Sequence, residues 1–426
     1  MSSLIANFEP STITEFRKWL AQNGALIHLD VLFKKVSGGF SVVAKEDLAP
    51  DSTIVSCPFS LAITLEISSR ALALLFEQHG CTDNFKIWSE RQLICSYICM
   101  HWVIGQFMSP PCLAHWPYFA TLPSPDDLRT PLHFTPSELE AFKGTNLYGA
   151  TLDRQRILHA EWQQCYETIS AANATWGNEF TWGRYLAAAT YLSSRAFPST
   201  LLSATPTLMT TESSHPVLLP GVDALNHARA HPVSWVVSSA SADTEQSGYS
   251  ATSTDSISLV IHTSTTRGAE LFNNYGPKPN AELILGYGFS LPHNPDDTIV
   301  LKIGGAAQGT WEVGRGARNA EPLWDAVLAA VSGGVEPAER SIEDELDAAD
   351  MLAEMVENLY DRLPQGKTGE MRKEVAIMLE HYLEGQRDIL QSVSRFTQEK
   401  KQRAIANARE QGLQIVDEEE DEEDER

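Results

Sequence analysis

The spacing of apolar residues changes three times along this chain of 426 residues. Short runs rich in Val, Ile and Thr give way to helical spacing at about residues 67–192, then return, and helical spacing resumes towards the C-terminus. A strand buries every second residue and a helix buries a stripe, so one element cannot satisfy both patterns. We therefore predict an α+β protein, with a β-rich domain at 12–305 that is interrupted by the helical insertion and followed by an all-α lobe at 306–410.

Individual runs define the predicted elements. The segment ITEFRKWLAQNG predicts a first helix that ends before Gly24, and SVVAKED, STIVSCP and LAITLE predict short strands after it. Further along, SWVVSS and SISLVIHTS predict two strands that flank a mobile, Ser/Thr-rich surface loop at 238–256. In the C-terminal lobe, apolar side chains on one stripe predict a buried helix face formed by Val375, Leu379, Tyr382, Leu383, Leu390, Val393 and Phe396.

The charge of the chain limits the partners that it can attract. The formal net charge is −24, and the last ten residues alone hold nine acids and one Arg. An acidic surface disfavours binding to the phosphates of nucleic acid and favours a basic protein partner. Alternatively, the negative charge serves only to keep the protein soluble. Like charges repel and nothing in the tail can be buried, so we expect residues 411–426 to be disordered.

The six cysteines form no CxxC pair and show no Cys/His spacing typical of zinc sites, so we predict no metal site. Cys95 and Cys99 lie one helical turn apart in an apolar segment, which favours free core thiols and a reducing compartment. The first residues lack the features of a secretory signal, and no apolar run is long enough to span a bilayer. We expect a soluble monomer, cytoplasmic and/or nuclear, without a membrane partner.

One polar cluster stands out beside an apolar run. The segment LLPGVDALNH at 218–227 ends with an acid, an amide and an imidazole within five positions, namely Asp223, Asn226 and His227. Taken alone, the segment is more typical of a turn in which Asn226 satisfies the backbone. The chain offers no Ser/His/Asp order, Gly-rich phosphate loop or HExxH helix that would indicate another chemistry.

Further motifs complete a recognisable set with this segment. They are GGFSVVA at 38–44, WPYFATLP at 116–123, SSRAF at 193–197, NNYG at 273–276 and GYGF at 286–289. In this order the motifs resemble those of SET-domain methyltransferases, specifically the branch named for the RuBisCO large-subunit lysine methyltransferase. Within that branch the chain is most similar to fungal enzymes that methylate ribosomal proteins. The resemblance implies a SET domain with a helical insertion and a helical substrate-binding lobe.

The resemblance also implies which residues bind S-adenosyl-L-methionine. Asn226 and His227 match an Asn-His pair that binds the adenine, through the amide side chain and the backbone of the His. Gly39, Phe40 and Ser41 match a Gly-x-Gly whose backbone lies against the methionine part of the cofactor. Serine stands where the second glycine is usual, and because serine disfavours positive φ, we expect an ordinary backbone conformation there.

A buried charge pair is implied next to the cofactor carboxylate. Arg195 matches an arginine near that carboxylate, for which a bidentate guanidinium is well suited. Asp223 is assigned to the same cofactor pocket, where it either contacts a ligand or forms a structural ion pair with Arg195. The type member of the branch has a second arginine four residues after the first, whereas this chain has Ser199.

Four aromatic residues are implied around the transferred methyl group. Tyr275 matches the catalytic tyrosine, which also contacts the cofactor where the methyl group leaves sulfur. Phe289 is assigned to the cofactor boundary, and Phe197 and Tyr287 are assigned to the substrate side of the channel. Methyl transfer from a sulfonium is an in-line displacement that requires alignment and a neutral amine, and neither a metal nor a covalent intermediate.

The implied function is S-adenosyl-L-methionine-dependent protein-lysine N-methyltransfer to a basic protein, with a ribosomal protein as the leading expectation. Three alternatives stay open. Ser41 and Ser199 are compatible with a SET scaffold that binds basic proteins without transferring methyl groups. The branch also contains a histidine methyltransferase, and an imidazole is neutral at physiological pH without assistance. Finally, the acidic tail could itself act as a chaperone for cationic proteins.

Overall fold

A computed structural model gives the structure of most of the chain. The described residues are 9–36, 38–77, 85, 87–203, 205–238, 255–303, 309–335, 339–365 and 369–413. Most of the predicted Ser/Thr-rich loop and most of the predicted acidic tail therefore lie outside the described residues. No described helix is both long enough and apolar enough to cross a membrane.

The described strands are short, and most of them pair with a neighbour in the antiparallel direction. The largest sheet has the order β1-β4-β9-β8, and smaller pairs are β2-β3, β5-β6, β11-β12 and the parallel pair β7-β10. The strands are β1 (Leu26–Ile27), β2 (Val31–Val36), β3 (Gly39–Ala44), β4 (Ser52–Pro58), β5 (Phe197–Pro198), β6 (Pro216–Val217), β7 (Asn226–His227), β8 (Val233–Ser238), β9 (Ser256–Ile261), β10 (Phe272–Asn273), β11 (Thr298–Ile303) and β12 (Gly309–Gly314).

The helices follow the predicted order of β-rich and helical regions, since most of them fall in the insertion and in the C-terminal part. They are α1 (Ser11–Gln22), α2 (Leu65–Glu77), α3 (Glu90–Ile104), α4 (Trp116–Phe119), α5 (Pro136–Glu140), α6 (Asn146–Ala172), α7 (Ala174–Glu179), α8 (Trp182–Arg195), α9 (Asn280–Tyr287), α10 (Ala320–Val331), α11 (Ile342–Arg362) and α12 (Lys373–Glu410).

The predicted strand LAITLE is wrong. Ile63 forms only an isolated bridge with Leu218, and α2 begins two residues later. The reason is local, because the Thr64 hydroxyl accepts a hydrogen bond from the Ile67 N–H at 3.3 Å and so caps the helix. The other predicted strands correspond to β3, β4, β8 and β9. In β9 the burial alternates, with Ile257, Leu259 and Ile261 in the core.

The chain forms two compact units. The first contains residues 1–133 and 153–277, and the second contains 134–152 and 278–426. The second unit thus takes residues from both the predicted helical insertion and the end of the predicted SET domain. The domain boundaries at 305 and 410 stay a prediction, since a compact unit and a domain are different divisions of a chain.

Each unit has its own hydrophobic core. In the first unit, α3 is buried on all sides and carries Cys95 and Cys99, whose thiols are free, as predicted. In the second unit, six residues of the predicted α12 stripe are buried, and Phe396 is half-buried. The stripe packs against α11, which begins with a capping box between Ser341 and Asp344.

Two histidines form a buried polar network within the first unit. The Tyr97 hydroxyl donates to His115 Nδ1 at 2.5 Å, and His115 Nε2 donates to the Leu61 carbonyl at 3.1 Å. His101 Nε2 accepts from the His115 N–H at 3.3 Å, so its Nδ1 carries the proton that is donated to the Tyr97 carbonyl at 2.9 Å. Each ring therefore has one proton, and burial lowers the pKa of His101 to about 3 and of His115 to about 4.

We predict that this network makes folding sensitive to mild acid. Unfolded histidine titrates near pH ~6.5, so below that pH the unfolded chain binds protons that the folded chain excludes, and stability is lost as pH falls towards 4. Each histidine contributes a slope of about 1.4 kcal/mol per pH unit. Urea unfolding between pH 6.5 and 4.5 should show a shallower slope for His115→Gln. Equal slopes in the unmodified chain and in His115→Gln would contradict the prediction.

Candidate functional site

A two-residue parallel pairing brings the motifs at 218–227 and 273–276 together. In this pair, Phe272 lies opposite Asn226 and Asn273 lies opposite His227. The pairing continues past β7, where the Ala228 N–H donates to the Asn273 carbonyl at 2.9 Å. Parallel strands cannot be joined by a tight turn, and here the connection between them contains β8 and β9. The polar end of LLPGVDALNH is thus fixed beside NNYG.

Tyr275 is held by this arrangement through its backbone, its ring and its hydroxyl. Its N–H donates to His227 Nδ1 at 3.0 Å, and its hydroxyl donates to the Leu225 carbonyl at 2.9 Å. The two aromatic rings stack with centroids 5.0 Å apart and planes 23° from parallel. The side chain of Tyr275 is half-buried, so its orientation is fixed while part of it stays accessible.

Asp223 is a buried carboxylate with donors from three segments. The Tyr118 hydroxyl donates to Asp223 Oδ2 at 2.7 Å, Arg195 Nη1 donates to the same oxygen at 3.1 Å, and the Gly221 N–H donates to Oδ1 at 3.2 Å. Arg195 Nη1 also donates to the Asp223 carbonyl at 3.2 Å. The structure therefore contains the ion pair that was one of the two expectations for Asp223 and Arg195.

The surroundings of this cluster keep the Tyr118 hydroxyl protonated and Arg195 charged. Burial raises the pKa of the Tyr118 phenol, and the negative charge of Asp223 raises it further, so the hydroxyl acts as a donor. Burial alone would lower the pKa of Arg195, but the neighbouring Asp223 outweighs it and the net shift is upward. Arg195 therefore remains a guanidinium, with about a quarter of its side chain exposed.

The strand β3 reaches the same site through the segment that precedes β10. The Leu271 N–H donates to the Val42 carbonyl at 2.8 Å, and the Ala44 N–H donates to the Ala269 carbonyl at 2.9 Å. Gly39 has a φ of +139°, a conformation that a residue with a side chain rarely adopts. Ser41 is buried inside β3 with no positive φ, in agreement with the expected ordinary conformation.

Two further side chains complete this part of the first unit. Phe40 is half-buried, packs edge-on against Phe33, and lines a small cavity of about 20 Å³ together with Arg195 and Asp223. Asn226 is exposed, and its Nδ2 donates to Glu270 Oε1 at 2.7 Å. The first unit thus brings Gly39, Phe40, Ser41, Arg195, Asp223, Asn226, His227 and Tyr275 into one connected set of contacts.

The remaining predicted residues are not joined to this set by the contacts described above. Phe197 forms the short pair β5-β6 with Val217 and packs half-buried against the core of the first unit. Tyr287 and Phe289 belong to the second unit, where their rings meet edge-to-face at 6.1 Å. Burial raises the pKa of Tyr287 even though the Lys278 ammonium lies 5.8 Å from its ring. Their predicted parts in substrate and cofactor binding stay predictions.

The start of α9, the helix that ends with Tyr287, is fixed by a buried amide. Asn280 is fully buried, and its N–H donates to Asp297 Oδ1 at 2.7 Å. Its side chain donates to the Leu291 carbonyl at 2.9 Å and accepts from the Leu291 N–H at 2.8 Å. Arg315 then pairs with Asp297 at 3.3 Å, which compensates the buried carboxylate.

Two residues of the site were not identified from the sequence. Tyr118 lies in the quoted motif WPYFATLP, which could have pointed to it, but nothing local indicates that its hydroxyl reaches a carboxylate 105 residues away. Glu270 lies in no motif at all. Within the described ranges, no group of three or more His, Cys, Asp or Glu side chains is arranged to hold a metal ion.

Comparison with known sequences places the chain near lysine methyltransferases. It is 32% identical over 289 residues to ribosomal lysine N-methyltransferase set10 of Schizosaccharomyces pombe, an alignment that spans 66% of this chain and 46% of the relative. It is 27% identical over 222 residues to ribosomal lysine N-methyltransferase 1 of Saccharomyces cerevisiae, spanning 44% and 34%. The chain thus spans less than half the length of these two relatives. No protein-family model matches it.

Comparison with solved structures shows the fold. The SET domain of LSMT in complex with methyllysine and AdoHcy superposes with a TM-score of 0.71 at 17% identity, covering 98% of this chain and all of that one. The RuBisCO LSMT with bound AdoMet gives a TM-score of 0.69 at 18% identity over the same shares. The predicted fold class and the resemblance to this SET branch are confirmed.

We predict that Tyr118 stabilises the buried charge of Asp223. Tyr118→Phe keeps the ring packing but removes a donor to a carboxylate, which should lower the free energy of unfolding by about 1.5–3 kcal/mol. Urea unfolding at pH 7 measures the loss. Tyr166→Phe is the matched control, because the hydroxyl of this half-buried tyrosine has no hydrogen-bond partner among the described residues. An equal decrease in the free energy of unfolding in both variants would show that the hydrogen bond from Tyr118 to Asp223 does not stabilise the protein.

Proposed function

We propose that this chain, which has the SET fold, is an S-adenosylmethionine-dependent protein-lysine N-methyltransferase. The observation that carries the proposal is the fixed position of Tyr275, which stacks on His227 and donates its hydroxyl to the Leu225 carbonyl. Three elements distant in sequence, β3, β7 and β10, are joined by backbone hydrogen bonds around it. Groups held in fixed positions favour methyl transfer, because its rate depends on the alignment of the reacting atoms.

The donors present in the first unit fit the cofactor. Arg195 uses only Nη1 for protein contacts, so within the described residues Nε and Nη2 have no protein acceptor and can bind a carboxylate. The exposed Asn226 amide keeps its Oδ1 for an adenine amino group, since only Nδ2 binds Glu270. Gly39, with its positive φ, offers backbone close to a ligand. We propose that these three residues hold the carboxylate, the adenine and the methionine chain.

The remaining chemistry is one of positioning. S-adenosylmethionine supplies a methyl group on a sulfonium, which is electrophilic without a metal or an added oxidant. Tyr275 and the Leu225 carbonyl place fixed oxygen atoms beside each other, and polarised C–H groups favour such oxygens. A free lysine titrates near ~10.4, so the acceptor must lose its proton before transfer. Desolvation in an apolar channel lowers that pKa and favours the neutral amine.

Ser41 is compatible with an active enzyme. A serine at a position that required positive φ would strain the loop. Ser41 instead lies within β3 with an ordinary backbone conformation. We infer that the serine is compatible with a cofactor running along this strand.

We propose that the methylated partner is a basic protein, with a ribosomal protein as the first candidate. The formal charge of −24 supports attraction of a lysine-rich segment. The names of the two yeast relatives refer to ribosomal lysine methylation, which makes ribosomal proteins the first substrates to test. The free thiols support an intracellular location, which we propose to be cytoplasmic, nuclear or both.

Incubation of the purified chain with radiolabelled S-adenosylmethionine and a ribosomal extract tests the proposal. We predict transfer to one or a few basic proteins, reduced on the order of 10- to 100-fold by Tyr275→Phe, because an aligned hydroxyl is lost. Tyr166→Phe, the tyrosine variant used above as a control, should transfer at the rate of the unmodified chain. The absence of methyl transfer to any protein would contradict the proposal that the chain is an enzyme.

Calorimetry and product analysis separate the alternatives. An inactive scaffold would show either no heat of cofactor binding or binding without transfer. For an active enzyme, intact-mass analysis followed by peptide sequencing identifies the acceptor. Lysine can gain up to three methyl groups and histidine normally one, so modification of a histidine alone would replace the lysine proposal with its closest alternative.

A further inference from the structure

A second concave surface lies in the helical part of the first unit. It has a volume of about 640 Å³ and is formed by the start of α3, the middle of α6 and the end of α8. We call it the insertion groove, defined by Arg91, Arg154, Leu158, Glu161 and Leu192. None of these residues belongs to the candidate site. The volume falls in the range of about 300–1,000 Å³ that is typical of small-molecule sites.

The carboxylate at the centre of the insertion groove is already occupied. Glu161 accepts two hydrogen bonds from Arg91, from Nε at 2.9 Å and from Nη2 at 2.5 Å. The Tyr185 hydroxyl donates to the same carboxylate at 3.3 Å. This bidentate pair balances one positive and one negative charge, so Glu161 is committed to Arg91.

Arg154 has no such balance. Among the residues that the structure describes, no group forms a hydrogen bond or an ion pair with its guanidinium, including the other acidic residue of the groove, Glu90. Burial and the nearby charge of Arg91 both lower the pKa of Arg154, which nevertheless remains charged at neutral pH. Buried charges are normally paired, so this half-buried guanidinium in a concave surface is available to an anionic ligand.

The start of α3 adds to the positive potential of the insertion groove. This helix of 15 residues begins after Ser89, whose hydroxyl accepts from the Gln92 N–H at 3.2 Å. The N–H groups of the first turn point out of the helix start, where the helix dipole favours negative charge. The exposed Glu90 in that first turn already places a negative charge there, so Arg154 is the cation that remains for a ligand anion.

Besides Glu90, Ser89 and Ser193, the rest of the groove is apolar. Its accessible apolar surface comes mainly from the half-buried Ala196 and Pro216, because Leu158, Leu192 and Ala189 are already almost completely buried. A hydrated inorganic anion would leave this lining in contact with water. A ligand with an apolar body would instead cover it and gain free energy from the buried area.

We propose that the insertion groove binds a small amphipathic anion, with a carboxylate, phosphate or sulfonate paired to Arg154 and an apolar body packed on Ala196 and Pro216. The site is separate from the proposed methyl-transfer site and takes the opposite charge to its basic protein substrate. The bidentate geometry of the guanidinium suits an oxyanion, and the single uncompensated cation specifies one negative charge.

Fluorescence titration with 8-anilinonaphthalene-1-sulfonate tests the proposal, since this probe combines one sulfonate with an apolar aromatic body. Arg154→Gln should weaken binding about tenfold or more, because a charge-assisted hydrogen bond is lost. Arg156→Gln is the matched control, because Arg156 lies on the same helix, is exposed, and is paired with Asp153. It should leave the affinity unchanged.

Two further measurements make the outcome decisive. The uncharged analogue N-phenyl-1-naphthylamine should bind equally to the unmodified chain and to Arg154→Gln. The melting temperature of Arg154→Gln should be equal to or above that of the unmodified chain, because an unpaired cation next to Arg91 has been removed. Equal affinities for the anionic probe, equal weakening by both arginine variants, or a lower melting temperature of Arg154→Gln would overturn the proposal. Cofactor calorimetry on the same variants should be unchanged, which separates this site from the proposed function.

Discussion

The parallel contact between β7 and β10 is the constraint on which the candidate site depends. Only two residues of each strand take part, yet the contact fixes His227 opposite Asn273 and thereby places Tyr275 on the imidazole. Because the connection between the two strands contains β8 and β9, their meeting requires the larger sheet to be formed. A substitution that destabilises this sheet would therefore disturb the positions of the site residues without changing any of them.

Buried carboxylates among the described residues are compensated by several donors, whereas some half-buried cations are not paired with a carboxylate. Asp223 is buried with three donors, and Asp297 is buried with Asn280 and Arg315. Such clusters are costly to break because the remaining charge would be left without a partner. Arg154 is a half-buried cation without a counter-ion within the described ranges, and it differs from Arg340 and Arg387, which are also half-buried without an ion pair, in that it lines a large concave surface. A charge of this kind in a concave surface can form an ion pair with a ligand, which is the basis of the binding that we propose for the insertion groove.

The two compact units also differ in how the chain builds them. The first unit joins the largest sheet to a helical insertion that contains α3, a helix that is buried on all sides and holds the neutral His101 and free thiols. The second unit relies on the long α12, whose apolar stripe packs on α11. Tyr287 and Phe289 come from the second unit, whereas the cofactor residues proposed above come from the first.

The sequence alone determined the α+β class, the insertion, the stripe of α12 and the motifs that identify the SET fold, because apolar periodicity and local motifs are encoded over a few residues. The strand predicted for LAITLE was wrong, because the Thr64 hydroxyl accepts a capping hydrogen bond from the Ile67 N–H and a helix begins there instead. Tertiary structure alone decided that Tyr118 donates to Asp223, that Asn226 binds Glu270, and that Arg154 has no counter-ion. Periodicity indicates which face of an element is buried, but the partner of a polar group depends on how elements far apart in the chain pack together.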